Sequence, residues 1–319
     1  MATLSLNPDR ANLHGVFSRA IPPILTIESG DTVVFGTLDA AWRLAQFSGD
    51  GSDGATFQPR DDVRDAGHAL TGPVAIAGAQ PGMTLAIHVE ELVPGAYGWT
   101  GSGGWDSWLN QRLGVVDSCL MVRWAIDHDL QLCRNQFGDT TPIRPFMGVM
   151  GMAPAEPETA PTAPPRATGG NIDCRELIAG STLYLPIEVE GGLFSTGDGH
   201  AAQGDGEVSG MAIECPMQKA VLRFELLPDP KLTYPRANTA EGWITFGFDE
   251  DLNEAAAKAV DEMLILMGEL LSFDRSRALA LASVEVLVRV TQLVNGVKGI
   301  HAILPHPAID RLRASSPHS

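Results

Sequence analysis

The sequence is short of positive charge. Against 22 lysines and arginines stand 39 aspartates and glutamates, a formal net charge of −17 over 319 residues. Binding phosphates needs a basic face, so a nucleic-acid partner is disfavoured, and so is attraction to an anionic membrane surface. Long apolar runs are missing as well, and none approaches the roughly 20 residues of a membrane-spanning helix. The opening "MATLSLNPDRANLHG" lacks the apolar core of a signal peptide. The expectation is a cytoplasmic protein with no membrane and no nucleic-acid partner. Cysteine is scarce too: Cys119, Cys133, Cys174 and Cys215 fall at irregular intervals with no C-x-x-C. That excludes a disulfide framework and a zinc-ribbon spacing, and leaves reduced, structural thiols.

Glycine and proline are plentiful, at 34 and 22 residues, and they punctuate short alternating runs. "ILTIESGDTVVFGTLDA" reads strand, Gly-Asp turn, strand, and "GPVAIAGAQPGMTLAIHVEELVP" repeats that grammar with Pro81-Gly82 as the turn. Further strands are expected at "STLYLPIEVEG", "VSGMAIECP", "AVLRFELLP" and "GWITFGF". A helix begins at Asp251, with Glu254 at capping-box spacing, and places Val260, Met263, Leu264, Met267 and Leu271 on one face. A second helix is expected through "SRALALAS". The pattern then returns to period two in "VEVLVRVTQLV", with Asn295-Gly296 turning into "GIHAILP".

The fold class is therefore mainly β, with β-sandwich or barrel-like modules and a C-terminal α/β element. Four regions are expected: an N-terminal β-rich module over 1–152, a proline-rich connection over 153–170, a β module over 171–248, and the α/β element over 249–319. The connection, "APAEPETAPTAPPRATGG", reads as extended and solvent-exposed. "GAYGWTGSGGWDSWLNQRLG" sets Trp99, Trp105 and Trp108 among glycines, either as a flap over a pocket or as a surface excursion packed back on a sheet.

Several catalytic signatures are absent. There is no G-x-S-x-G elbow and no H-E-x-x-H. "GDGHAA" matches a dinucleotide fingerprint, but the Gln-Gly-Asp-Gly that follows cannot open the required helix. "DEDLNE" starts like a calcium loop yet lacks its glycine and closing glutamate. Cys174, beside Asp173 and Arg175, is a weak nucleophile candidate.

The chemistry concentrates in "LFSTGDGHAAQGDGE", expected as a loop after a strand. If Gly197 to Ala201 is roughly extended, Asp198 and His200 share a face, and a carboxylate beside an imidazole can share a divalent metal, zinc first. Glu207 could return to the same cavity as general base for a water. The competing reading has the carboxylates satisfying turn amides and His200 packed on the sheet. Further ligands would come from His14, Asp39 or His68. "GGNID" adds Asn171 and Asp173.

Taken together, "PPILTIESGDTVVFGTLDA", "LTGPVAIAGAQPGMTL", "RPFMGVMGMAP", the run from "GGNIDCRELIAG" to "GDGHAAQGDGEVSGMAIE", and "RVTQLVNGVKGIHAILP" resemble the acetamidase/formamidase family, in the family's order. The resemblance implies hydrolysis of a short linear amide, such as formamide or acetamide, to ammonia and the carboxylate. It also implies a bound divalent metal, zinc with calcium as the alternative, and a β-rich homo-oligomer, dimer or higher. Carried over position by position, it gives Glu207, Asp205 and Asp173 as catalytic and Asp198, His200, Asp39 and His14 as metal ligands. Asn171 and Gly199 would bind substrate, the backbone amides of the glycine-rich segment being candidate oxyanion donors. The chain departs from the family where relatives tend to read "DLRVTQ": here Leu287 occupies the acidic position. Two alternatives stay open, an amidase with a nucleophilic side chain and a structural metal, and a non-catalytic metal-dependent binder of small molecules.

Overall fold

A computed structural model describes residues 1–49, 51, 53–228 and 232–314. Among them are a nine-stranded sheet, an eleven-stranded sheet and a two-stranded ribbon. In the first, Met217–Leu227 pairs antiparallel with both Thr32–Phe35 and Thr84–Pro94. At the middle of the second, Phe194–His200 pairs with Leu70–Ile76, Phe146–Met152 and Glu214–Cys215. The inner faces meet in one apolar core. Phe35 and Phe224 from the first sheet contact Phe194 from the second edge to face, at centroid distances of 6.2 and 5.0 Å. Rings in that arrangement add attraction to the area they bury. The mainly β, sandwich-like expectation holds.

A turn between two strands does not make them partners here. Leu25–Ile27 and Thr32–Phe35 are both strands, but the first joins Leu70–Ile76 in one sheet and the second joins Met217–Leu227 in the other. The Gly30-Asp31 turn is thus a corner between sheets, not a hairpin. Pro81-Gly82 does the same between Leu70–Ile76 and Thr84–Pro94. A corner and a hairpin need the same turn residues, so composition does not separate them. Both large sheets draw strands from 1–152 and from 171–248: Glu214–Cys215, for example, pairs with Tyr97–Ser102.

Three other expectations change. The proline-rich segment is not simply exposed, because Thr159–Pro161 pairs with Val16–Ser18 and buries Ala160 and Thr162. "VSGMAIECP" is a strand only at Glu214–Cys215. The glycine-rich "loop" is itself a buried central strand over Phe194–His200, where small residues let neighbouring strands close in.

The C-terminal element forms as expected, although 315–319 lie outside the described residues. Leu252–Leu271 is capped by Asp251, whose carboxylate accepts from the Asn253 and Glu254 amides. Met263, Leu264, Met267 and Leu271 are buried and Val260 is half-buried. Arg275–Glu285 is the second helix, and Leu287–Gln292 turns through Asn295-Gly296 to pair with Lys298–Pro305. Among the described residues no helix is long and apolar enough to cross a membrane.

Candidate functional site

Strand Phe194–His200 delivers the first two site residues. His200 Nε2 lies 3.3 Å from Asp198 Oδ1. Its antiparallel neighbour supplies a third: Glu214 is directly opposite His200, and its Oε2 stands 3.2 Å from the same nitrogen, outside hydrogen-bonding geometry. The other Glu214 oxygen accepts the Ala212 amide at 2.8 Å. Asp173 repeats that pattern. Its Oδ2 accepts from the Asn295 side-chain amide at 2.6 Å, while Oδ1 has no partner and faces His200 Nδ1 at 4.0 Å. Each of these carboxylates is fixed through one oxygen and leaves the other free.

Asp173, Asp198 and Glu207 share a further property: all three have left-handed backbones, with φ of 55°, 56° and 45°. Such conformations cost a non-glycine residue roughly 1–3 kcal/mol and cluster where the surroundings enforce a functional geometry. Asp198 is thus not in regular extended form, yet it still reaches His200. Gly148, on the neighbouring strand, leaves the necessary room. A Cβ there would stand 2.5 Å from Asp198 Oδ2, 2.7 Å from Asp173 Oδ1 and 2.8 Å from His200 Cε1.

Asp198, Glu207 and Glu214 border a cavity of about 230 Å³ lined also by Ala40, His68, Trp99, Asn171 and Asn295. Taking about 30 Å³ as a water's share of liquid volume, it holds a small organic molecule and little more. Glu207 and Met211 separate it from an open outer cleft of about 530 Å³ that carries Arg144, Arg175 and Asp205.

Four buried carboxylates around one imidazole set up strong mutual perturbation. Burial, reinforced by the Asp173 carboxylate, holds Glu207 well above the usual carboxylate range. Burial likewise pushes Glu214 up to about 8 and Asp173 up to about 7. For Asp198 burial acts upward too, but the charges of His200 and His68 outweigh it and its pKa falls. Burial disfavours the His200 cation, yet the Glu214 and Asp198 carboxylates raise its pKa well above the usual imidazole range.

The donor atoms fit a divalent cation. Those of Asp198, His200 and Glu214 lie within 4.8 Å of one another, as do those of Asp173, His200 and Glu207. Tetrahedral zinc bonds of roughly 2.0–2.1 Å put neighbouring donors about 3.3 Å apart, and the spacings here are 3.3 and 3.2 Å. Buried atoms without hydrogen-bond partners recur in these residues: Asp173 Oδ1 faces an equally unpartnered His200 Nδ1, Glu214 Oε2 faces Nε2 on the other side of the ring, and Glu207 Oε2 and Asn171 Oδ1 belong to cavity-lining residues. A charge of two in their midst would relieve the carboxylate repulsion.

Of the residues singled out from sequence, Asp198, His200, Asp173, Glu207 and Asn171 come together. Four do not join the cluster. His14 bonds Val16 O at 2.7 Å and Ser195 Oγ at 2.9 Å, so both ring nitrogens are occupied elsewhere. Asp39 accepts from the Trp99 indole at 2.9 Å and from the Arg43 amide, and so positions a cavity wall. Asp205 is exposed on the outer cleft, 3.9 Å from Arg175. Gly199 packs close to its neighbours, its missing Cβ only 2.6 Å from Met217 Cγ. His68 lines the cavity with Nδ1 turned to Thr162. Trp99 is a buried wall residue on strand Tyr97–Ser102, whereas Trp105 and Trp108 remain partly exposed. Sequence reasoning missed Glu214, Gly148 and Asn295. The signal for Glu214 was its register against His200, which a strand reading of "MAIECP" alone does not supply.

Two matches to one family model, at 3–158 and 155–308, take in nearly the whole described chain. The acetamidase of Mycolicibacterium smegmatis is 48% identical over 215 residues, 47% of this chain and 52% of that protein. The formamidase of Methylophilus methylotrophus is 26% identical over 251 residues, 62% of this chain and 60% of that protein. The chain therefore spans about half to 60% of the length of these relatives. Among solved structures, the acetamidase of Bacillus halodurans superposes with a TM-score of 0.82 at 26% identity, over 97% of this chain and 99% of that one. With a family model matched along its length and the same fold in a solved relative, the chain belongs to the acetamidase/formamidase family.

Proposed function

We propose that the protein hydrolyses short linear amides, of formamide or acetamide size, to ammonia and the carboxylate. Asp198, His200 and Glu214 would hold a divalent cation, and zinc suits them best. The imidazole supports zinc over calcium, which prefers six to eight oxygens. When bound, such an ion polarises a carbonyl oxygen and makes water acidic enough to attack at neutral pH. The observation that carries the reading is the convergence of unpartnered buried donors on a cavity of substrate size.

The remaining work falls to this chain's own side chains. Glu207, which lines the cavity with an unpartnered Oε2, is placed to take the proton of the attacking water and pass it to the leaving nitrogen. An Asp173 oxygen lies within 4.8 Å of one of Glu207, close enough for the two carboxylates to share a proton. Asn171 Oδ1 accepts an N–H of the substrate amide, which selects amides over esters. Trp99, Ala40 and Met211 supply apolar wall to the cavity.

Ammonia release from a panel of short amides, before and after full chelation of metal, tests the proposal. Turnover that depends on restored metal supports it, and turnover surviving complete metal removal favours the nucleophile alternative. No release from any amide favours the small-molecule binder. A cytoplasmic homo-oligomer, dimer or higher, is part of the same proposal and rests on the family resemblance; light scattering on the purified protein tests the assembly.

A further inference from the structure

A second group of metal-ligating side chains begins one residue past Asp173. Cys174, Glu176 and His301 are all buried, and one donor atom from each lies within 4.8 Å of the other two. Cys174 Sγ stands 3.3 Å from Glu176 Oε2, and His301 Nε2 stands 3.5 Å from that same oxygen. His301 Nε2 has no hydrogen-bond partner in a ring that is fully buried. A lone pair so placed, beside a thiol and a carboxylate, is unusual enough to require an explanation.

The other polar atoms are already engaged. His301 Nδ1 lies 2.7 Å from Thr291 Oγ1, and Glu176 Oε1 accepts from Arg289 at 3.2 Å. With Nδ1–H donating to the threonine hydroxyl, the ring is oriented and Nε2 is left as a donor of electrons. That is the arrangement metal-binding histidines usually show.

We propose that Cys174, Glu176 and His301 form a second divalent-cation site, of zinc type, that fastens the turn following Asp173 to strand Lys298–Pro305. A sulfur, an imidazole and a carboxylate are the donors of zinc, and hard ions such as magnesium would not select them. Bonds of about 2.0–2.3 Å set tetrahedral donors roughly 3.3–3.7 Å apart, and the two spacings here are 3.3 and 3.5 Å. On binding, the cysteine proton leaves for solvent. A thiolate and a carboxylate then cancel the ion's charge, so burial of the whole group is tolerable. The role is structural. None of the three lines the inner cavity or the outer cleft, so the site stands independently of the amidase reading.

Crystals of the unaltered protein grown with zinc, measured on both sides of the zinc absorption edge, test this directly. An anomalous peak among Cys174 Sγ, Glu176 Oε2 and His301 Nε2 is the expected result. No peak there, whatever appears at Asp198, His200 and Glu214, overturns the proposal. In solution, zinc retained after dialysis should fall by about one ion per chain in Cys174→Ser and in His301→Gln. Content equal to the parent in folded variants also overturns it. Should either variant fail to fold, the map on the parent protein decides alone. Amidase assays play no part in either readout, so failure of the proposed activity and failure of this site are separable.

Discussion

His200 and Glu214 face each other in register on adjoining antiparallel strands, with Nε2 and Oε2 3.2 Å apart. Backbone pairing fixes this relationship, so it exists before any ligand arrives. Glu214→Gln should therefore keep the fold and weaken divalent-metal binding by at least about tenfold, because a neutral amide is a poor ligand for a hard or borderline cation. Competition with a chelator of known affinity measures it. Unchanged affinity would remove Glu214 from the ligand group.

Glu207→Gln is expected to retain metal and fold while kcat drops by roughly 10²–10⁴, the usual worth of a positioned acid or base. Metal content and ammonia release on the same sample check both halves. Near-normal turnover would take the proton-transfer role away from Glu207.

Gly148→Ala places a methyl group 2.5 Å from Asp198 Oδ2 and 2.8 Å from His200 Cε1. The clash should cost about 1–3 kcal/mol of stability and displace the donors enough to lower activity by about 100-fold or more. Denaturant melts and kinetics test it. A fully active alanine variant would show that the free space beside Gly148 is dispensable.

His14 makes a prediction about pH and stability. Burial, partly offset by the Val16 carbonyl, lowers its pKa from 6.5 to about 4, so the folded state holds it neutral. Its contribution is complete above the unfolded value near 6.5 and is lost as pH falls from there toward about 4. The full loss is on the order of 3 kcal/mol. Unfolding free energies of the parent and His14→Gln, compared between pH 7.5 and 4.5, should show a smaller decline in the variant. Parallel declines would exclude His14 as the source.

Leu287, where the family resemblance leads one to expect an acid, is 47% exposed at the start of the edge strand Leu287–Gln292. It lines neither the inner cavity nor the outer cleft. Leu287→Asp should leave turnover unchanged and shift stability by no more than about 0.5 kcal/mol. A gain in activity would instead tie that position to the reaction.

Much of this was legible in the residues. Period-two runs gave the strands, Asp251 and Glu254 gave the long helix, and the i, i+2 placement of Asp198 and His200 gave their meeting. What failed was pairing. Gly30-Asp31 and Pro81-Gly82 look like hairpin turns because a corner demands the same backbone freedom, and only the partner strands distinguish the two. Glu214 was hidden for the same reason, since its function depends on a register that no local pattern encodes. His14 and Asp39 are candidates by residue type, whereas one of the partners that engage each of them, Ser195 and Trp99, is distant in sequence.

The corner turns at Gly30-Asp31 and Pro81-Gly82 carry a kinetic consequence. A chain that sends successive strands into opposite sheets cannot complete either one from neighbouring segments, so assembly must await encounters between remote stretches and should be slow. The donors at Asp198, His200 and Glu214 acquire their spacing only when those encounters are done. An ion held as proposed would therefore be captured only at the last stage of maturation, and early folding would proceed without its help.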